Sequence, residues 1–173
     1  MTTRGIDFSQ LSLMDALDLA LLIEEEARDR YEELADQLEV HHTPDASAFF
    51  RKMVKVEELH RATLDKRRAE LFQAAPRKVT RSMIFDVEAP EYDEARANMT
   101  PRLALQAAMK SEVKAYHFFA AAVPRVKDAA VKKLFEELME EEIAHQSWVK
   151  AELAQHPETP ADQQDMSDEP VAH

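Results

Sequence analysis

The chain has 173 residues, enough for one domain with a substantial core and too few for two of ordinary size. Its single glycine, Gly5, argues against a β-rich fold with many tight turns, and the absence of cysteine excludes disulfides, thiolate metal sites and iron–sulfur clusters. With 22 Lys and Arg against 34 Asp and Glu the formal charge is −12, which sets the average surface against nucleic acid.

The abundance of Ala, Leu, Glu, Lys and Arg predicts an all-α fold. No apolar run approaches the roughly 20 residues that span a bilayer, and Met1 to Gln10 lacks the apolar core of an export signal, so a cytoplasmic protein with no membrane partner is expected.

Apolar periodicity and end signals predict four helices. The first runs from about Ser9–Ser12 to about Glu39, with Leu13, Leu17, Leu21, Glu24, Tyr31, Leu34 and Leu38 on its inward seam, and stops at His41-His42-Thr43-Pro44. The second starts near Pro44, where proline suits a first turn, and places Phe50, Met53, Glu57, His60, Leu64 and Leu71 on one face before Pro76.

Gln73 to Met99 holds two prolines and no sustained helical period. It is far longer than the roughly 2–8 residues that join antiparallel bundle neighbours. A helix of ~28 residues is ~42 Å long. A linker of this size reaches up to roughly 85 Å, enough to cross the bundle lengthwise and set helix three parallel to helix two. The apolar cluster Met83, Ile84, Phe85 and Val87 is expected on the bundle flank, and the same linker could serve as the hinge of a domain-swapped dimer.

Helix three opens at the capping pair Thr100-Pro101 and carries Leu105, Ala108, Glu112, Ala115 and Phe119 before Pro124. Helix four, from about Asp128 to Gln155, presents Val131, Leu134, Leu138, Glu142, His145 and Val149. Residues 1–155 thus form the bundle domain, and the acidic, proline-rich stretch 156–173 reads as a disordered tail.

An internal repeat carries the chemistry. Glu24-x-x-Ala27-x-x-x-Tyr31 recurs as Glu112-x-x-Ala115-x-x-x-Phe119, an offset of 88 residues, and Glu57-x-x-His60 recurs as Glu142-x-x-His145, an offset of 85. Residues that meet across a hairpin lie equally far from its turn. The midpoint of Glu24 and Glu57 falls near residue 40 and that of Glu112 and Glu142 at 127, both on predicted turns.

All six residues sit on apolar seams, where unpaired carboxylates cost several kcal/mol unless protons or a metal neutralise them. A Glu-x-x-His pair points both side chains from one helical face at a single ion, the imidazole as an end ligand and the carboxylate free to bridge. Two such pairs and two single glutamates supply six ligands for two ions. Four carboxylates balance two divalent cations, and oxidation leaves an excess of positive charge that an oxygen-derived anion would cancel. Glu and His suit iron, manganese and zinc alike.

On these residues the sequence resembles the rubrerythrin and ferritin-like superfamily, over all four helices from about Ser9 to Gln155. The resemblance implies a ferritin-like four-helix bundle with one long crossover between helices two and three. It implies two iron ions held by Glu24, Glu57, His60, Glu112, Glu142 and His145, with Glu24 and Glu112 as terminal ligands, Glu57 and Glu142 bridging, and the histidines as end ligands. The implied function is a di-iron oxidoreductase, a ferroxidase or peroxidase serving in oxidative stress, that reduces O2 or H2O2 while oxidising Fe(II) or another electron donor. An iron-storage protein without sustained turnover is the alternative, and an interaction protein with a structural zinc or manganese pair is a third reading. A homo-oligomer, dimer or larger, is expected.

The chain departs from its relatives at three points. Ala115 stands where peroxide-reducing rubrerythrins typically place a further ligand Glu, and the sequence holds no cysteine of the kind that builds the rubredoxin module many of them carry. Glu58 stands where bacterioferritin has its haem-ligating methionine, so no haem is expected. Tyr31 and Tyr116 are candidates for a hydrogen-bond donor or radical quencher beside the site, or for core packing. His41, His42, His117, His156 and His173 read as solvent-exposed spectators, and Trp148 as core or partner surface.

Overall fold

The computed structural model describes residues 6–40, 43–84, 87–88, 90, 99–160 and 162. Four helices follow one another: α1 (Leu13–Val40), α2 (Pro44–Phe72), α3 (Pro101–Ala122) and α4 (Ala129–Leu153), with short 3-10 turns at Arg81–Met83 and Val123–Arg125. There is no strand among the described residues. No described helix is long and apolar enough to cross a membrane.

Side chains set the helix ends. Ser12 Oγ accepts from the backbone N–H of Asp15 at 3.2 Å, Thr100 caps α3 through Leu103 N, and Asp128 caps α4 by accepting from Ala130 N and Val131 N. These are the orphan amides of a first turn, and a short polar side chain satisfies them at little entropic cost. In the first hairpin Thr43 Oγ1 donates to Leu38 O at 2.9 Å and Ser47 Oγ donates to Ala35 O at 2.8 Å, tying the end of α1 to the start of α2.

α1 packs along α2 and α3 along α4. The core lies in two apolar clusters stacked along the bundle. The first gathers Leu17 and Leu19–Ile23 of α1, Leu64 of α2, Phe118 and Phe119 of α3, and Leu134, Phe135 and Leu138 of α4. The second gathers Tyr31, Leu34 and Leu38 of α1, Phe50 and Met53 of α2, Leu105 and Ala108 of α3, and Val149 of α4. α2 and α3 both run from the second cluster to the first, so they are parallel, and the chain between them returns along the length of the bundle. That is the expected long crossover.

The crossover is anchored at its start by a buried ion pair. Arg68 on α2 pairs through its Nε with Asp18 on α1, and its Nη atoms donate to Gln73 O at 3.1 Å and Ala75 O at 2.7 Å. Gln73, where the helix stops, has a positive φ of 53°. Ile84 and Val87 are buried in the first cluster with Met83 against it, as the flank reading expects, while Phe85 lies outside the described residues.

Two expectations change. The periodicity puts Leu71 on the inward face of α2, but Leu71 is 53% exposed; Arg68 and Phe72 turn inward there instead. A straight helix drifts about 20° per heptad from a strict seven-residue seam, and over the last turns of α2 the drift moves position 71 outward. The stretch from His156, read as an unstructured tail, begins with ordered residues. Asp162 is buried, binds Thr100 Oγ1 and accepts from Thr159 N at 2.5 Å, and the His156 carbonyl accepts from Arg102 at 2.7 Å. Residues 163–173 lie outside the described residues.

Candidate metal centre

Between the two apolar clusters lies a layer of ionisable side chains. Glu24 follows Ile23 on α1, Glu57 follows Met53 by one turn on α2, Glu112 follows Ala108 by one turn on α3, and Glu142 follows Leu138 by one turn on α4. Each is buried, because each holds an inward seam position that an apolar residue would otherwise fill. One turn beyond Glu57 and Glu142, His60 and His145 project from the same helical faces. Their rings stack with centroids 4.7 Å apart.

The six residues singled out in the sequence come together as overlapping triads whose ligand atoms lie within 4.8 Å of one another. One is Glu112, Glu142 and His145; a second is Glu57, His60 and His145. The third joins Glu24 and Glu57 to Glu88, a residue of the crossover. Glu24 therefore shares its triad with Glu57 and Glu88 rather than with His60.

Glu88 is the member that the sequence reading missed. It is 1% exposed. The crossover has no helical period from which an inward face could be read. The available signal was compositional: an acidic residue directly after Val87 in a stretch whose apolar side chains cover the bundle.

Hydrogen bonds satisfy only part of the cluster. His145 Nδ1 lies 2.8 Å from Glu112 Oε2, and the Tyr31 hydroxyl donates to Glu112 Oε1 at 3.1 Å. Glu24 Oε2, both oxygens of Glu57, Glu88 Oε2 and Glu142 Oε2 are buried and have no hydrogen-bond partner among the described residues. Buried acceptors left in this state are costly and rare in folded proteins.

Burial, and then the neighbouring carboxylates, push Glu24, Glu57, Glu88 and Glu142 well above the usual carboxylate range. Burial and the adjacent His145 push His60 down to about 4, so its imidazole is neutral and has a free lone pair at neutral pH. Tyr31 is pushed well above the ordinary phenol value by burial and by Glu112, and stays a donor.

The arrangement is chemically suited to cations. Hard carboxylate oxygens and borderline imidazole nitrogens together match first-row divalent ions, and several of the oxygens have no hydrogen-bond partner among the described residues. A cavity of ≈ 80 Å³ between α2 and α4 adjoins the cluster, lined by His60, Leu64, Leu134 and Glu141 with Arg67 and Glu137. Arg67 and Glu137 form an ion pair of 2.6 Å there.

The family model for rubrerythrin matches residues 15–153, most of the chain and all four glutamate-bearing helices. The chain belongs to the rubrerythrin family. Among solved structures, an uncharacterised conserved protein from Magnetospirillum magnetotacticum superposes with a TM-score of 0.67 at 27% identity, covering 86% of this chain and 98% of that one. A hypothetical protein from Pyrococcus furiosus superposes with a TM-score of 0.50 at 21% identity over 89% of this chain and 94% of that one, a likeness of fold alone. No curated protein matches the chain. Membership in the rubrerythrin family makes the buried layer a candidate di-iron site of the ferritin-like kind.

The remaining sequence candidates fall outside the layer. Ala115 is fully buried, with no polar atom to add. Tyr116 is half-buried and meets the exposed His117 edge to face. Trp148 stacks on Phe49 at 6.0 Å. His156 is half-buried beside Arg102. His41, His42 and His173 lie outside the described residues.

Proposed function

We propose that this rubrerythrin-family chain is a di-iron oxidoreductase that reduces O2 or H2O2 while oxidising Fe(II) or another donor. In this reading Glu24, Glu57, His60, Glu112, Glu142 and His145 hold the two irons. The observation that carries it is the set of buried carboxylate oxygens without partners on α1, α2, α4 and the crossover, beside the buried Glu112 of α3. Iron bound there would supply the electrons and the open coordination positions for reduction of the oxidant.

The chain's own residues would divide the remaining work. His145, by sitting against Glu112, and Tyr31, by donating to the same carboxylate, hold Glu112 in one orientation. The phenylalanines and leucines above and below the layer exclude water and keep the local dielectric low, which strengthens every charge interaction within it. Glu141 in the wall of the cavity beside His60 suits an entering cation, which supports Fe(II) as the donor, while Glu137 there is paired with Arg67.

The test is anaerobic loading with Fe(II), metal analysis, and stopped-flow oxidation with O2 and with H2O2. The expected result is two irons per chain and oxidation faster than for free Fe(II) with at least one oxidant. Iron retained far beyond two per chain would point to storage instead. Failure to bind iron, or oxidation no faster than in buffer, would overturn the reading.

A further inference from the structure

Each of the four helices passes from one apolar cluster to the other, and each places one glutamate at the point of passage: Glu24, Glu57, Glu112 and Glu142. The described residues of the crossover touch both clusters. Val79, Ile84 and Val87 belong to the first cluster and Met99 to the second, and Glu88 stands at the change. We infer that Glu88 is a seventh metal-binding side chain, delivered to the centre by the crossover. The inference rests on the di-metal reading above and adds to it a ligand from a fifth segment of the chain.

Three observations support it. Glu88 is 1% exposed, so its carboxylate has exchanged water for the protein interior. Its Oε2 finds no hydrogen bond among the described residues, although a buried carboxylate normally accepts two or three. Its carboxylate lies within 4.8 Å of ligand atoms on both Glu24 and Glu57, close enough for one cation to touch all three. A core residue kept only for packing would be an apolar side chain at this position, like Val87 beside it.

A fifth carboxylate changes the charge of the centre. Two divalent ions with four carboxylates are neutral, whereas with Glu88 they carry one net negative charge and are held more tightly. Glu88 also couples metal binding to docking of the crossover. Glu88 already lies inside the layer, so an ion held there would fasten the crossover to the bundle.

Titration with Co(II), followed by its visible absorption, tests this without any turnover. Thermal unfolding is recorded with and without the metal. The wild-type chain is expected to bind two Co(II). Glu88→Gln and Glu88→Asp are expected to bind one of the two at least about tenfold more weakly, because losing a ligand costs no less than losing a group that orients one. Metal-free Glu88→Gln should be at least as stable as wild type, since a neutral amide replaces a buried carboxylate with one oxygen unpartnered, while its gain in Tm on adding Co(II) should shrink.

Equal Co(II) affinity in wild type and both variants would overturn the role of Glu88 and leave the six-residue centre standing. An equal drop in Tm with and without Co(II) would make Glu88 a packing residue and overturn the inference as well. A wild-type chain that binds no Co(II) and no Fe(II) would overturn the di-metal reading itself.

Discussion

Tyr31 donates a 3.1 Å hydrogen bond to Glu112, the same carboxylate that lies 2.8 Å from His145. One helix thereby orients a carboxylate on a second, and a third helix holds its other oxygen. Tyr31→Phe removes the donor while keeping the ring and its stacking on Phe50. The expected cost to the metal-free protein is about 1–3 kcal/mol from an acceptor left unsatisfied, read by urea unfolding. Metal affinity should fall by about 10–100-fold, read by titration. Unchanged affinity would mean that the hydroxyl does not orient Glu112 in the loaded centre.

Glu57 and Glu142 are proposed to bridge both ions. Glu57→Ala or Glu142→Ala should lower bound metal from about two ions per chain toward one or none. Glu57→Gln should make the metal-free protein more stable, because both of its oxygens are buried without partners. Metal analysis after anaerobic loading measures the first effect and thermal unfolding in chelator the second. Full occupancy in both alanine variants would rule out the bridging assignment.

The buried carboxylates set an unusual pH dependence. Glu24, Glu57, Glu88 and Glu142 hold protons to higher pH in the folded chain than in the unfolded one. The metal-free folded state then binds more protons from about pH 4.5 upward, so these groups make stability fall as pH rises through that window. His60, lowered to about 4, acts the other way: the folded state binds fewer protons between about 4 and about 6.5, and stability is lost as pH falls. Four groups outweigh one, so metal-free protein should melt higher near about pH 5 than near about pH 7. Co(II)-saturated protein should show the opposite trend, because ligands must lose their protons to bind. Parallel slopes for the two forms would contradict this account.

Arg68 and Asp18 form a second buried polar site, one that pins the start of the crossover. Arg68→Met leaves Asp18, fully buried, with Arg77 at 3.5 Å as its remaining cation. Stability should fall by about 3–5 kcal/mol, and the double variant Arg68→Met with Asp18→Leu should recover most of it. Urea unfolding of the two variants checks both statements.

The architecture was legible because local signals and long-range spacing agree. Pro44, the Thr100-Pro101 pair and Asp128 mark helix starts by chemistry that acts within a single turn, and the structure begins its helices beside them. Glu24, Glu57, Glu112 and Glu142 could be set at one depth because hairpin geometry turns sequence distance into height. Glu88 was not legible, for the converse reason. A crossover has neither period nor mirror partner, so nothing in the spacing says which of its residues meets the layer. The outward turn of Leu71 escaped for a subtler cause, the drift of a straight helix away from a heptad seam.

The ionisable layer divides the apolar interior into two, and without ions it is a plane of weakness across the middle of the bundle. Each half is held by its own hydrophobic contacts, while at the joint the hydrogen bonds of Glu112 with Tyr31 and His145 stand among carboxylates that repel one another or hold protons. Amides near Glu24, Glu57, Glu112 and Glu142 would then exchange through openings smaller than global unfolding in the empty protein, and through global unfolding in the loaded one. Bound metal stabilises the chain in proportion to the logarithm of its concentration, so an unfilled molecule is the one that proteases reach first. The lifetime of this protein in a cell would follow its metal supply, with no dedicated sensor beyond the layer itself.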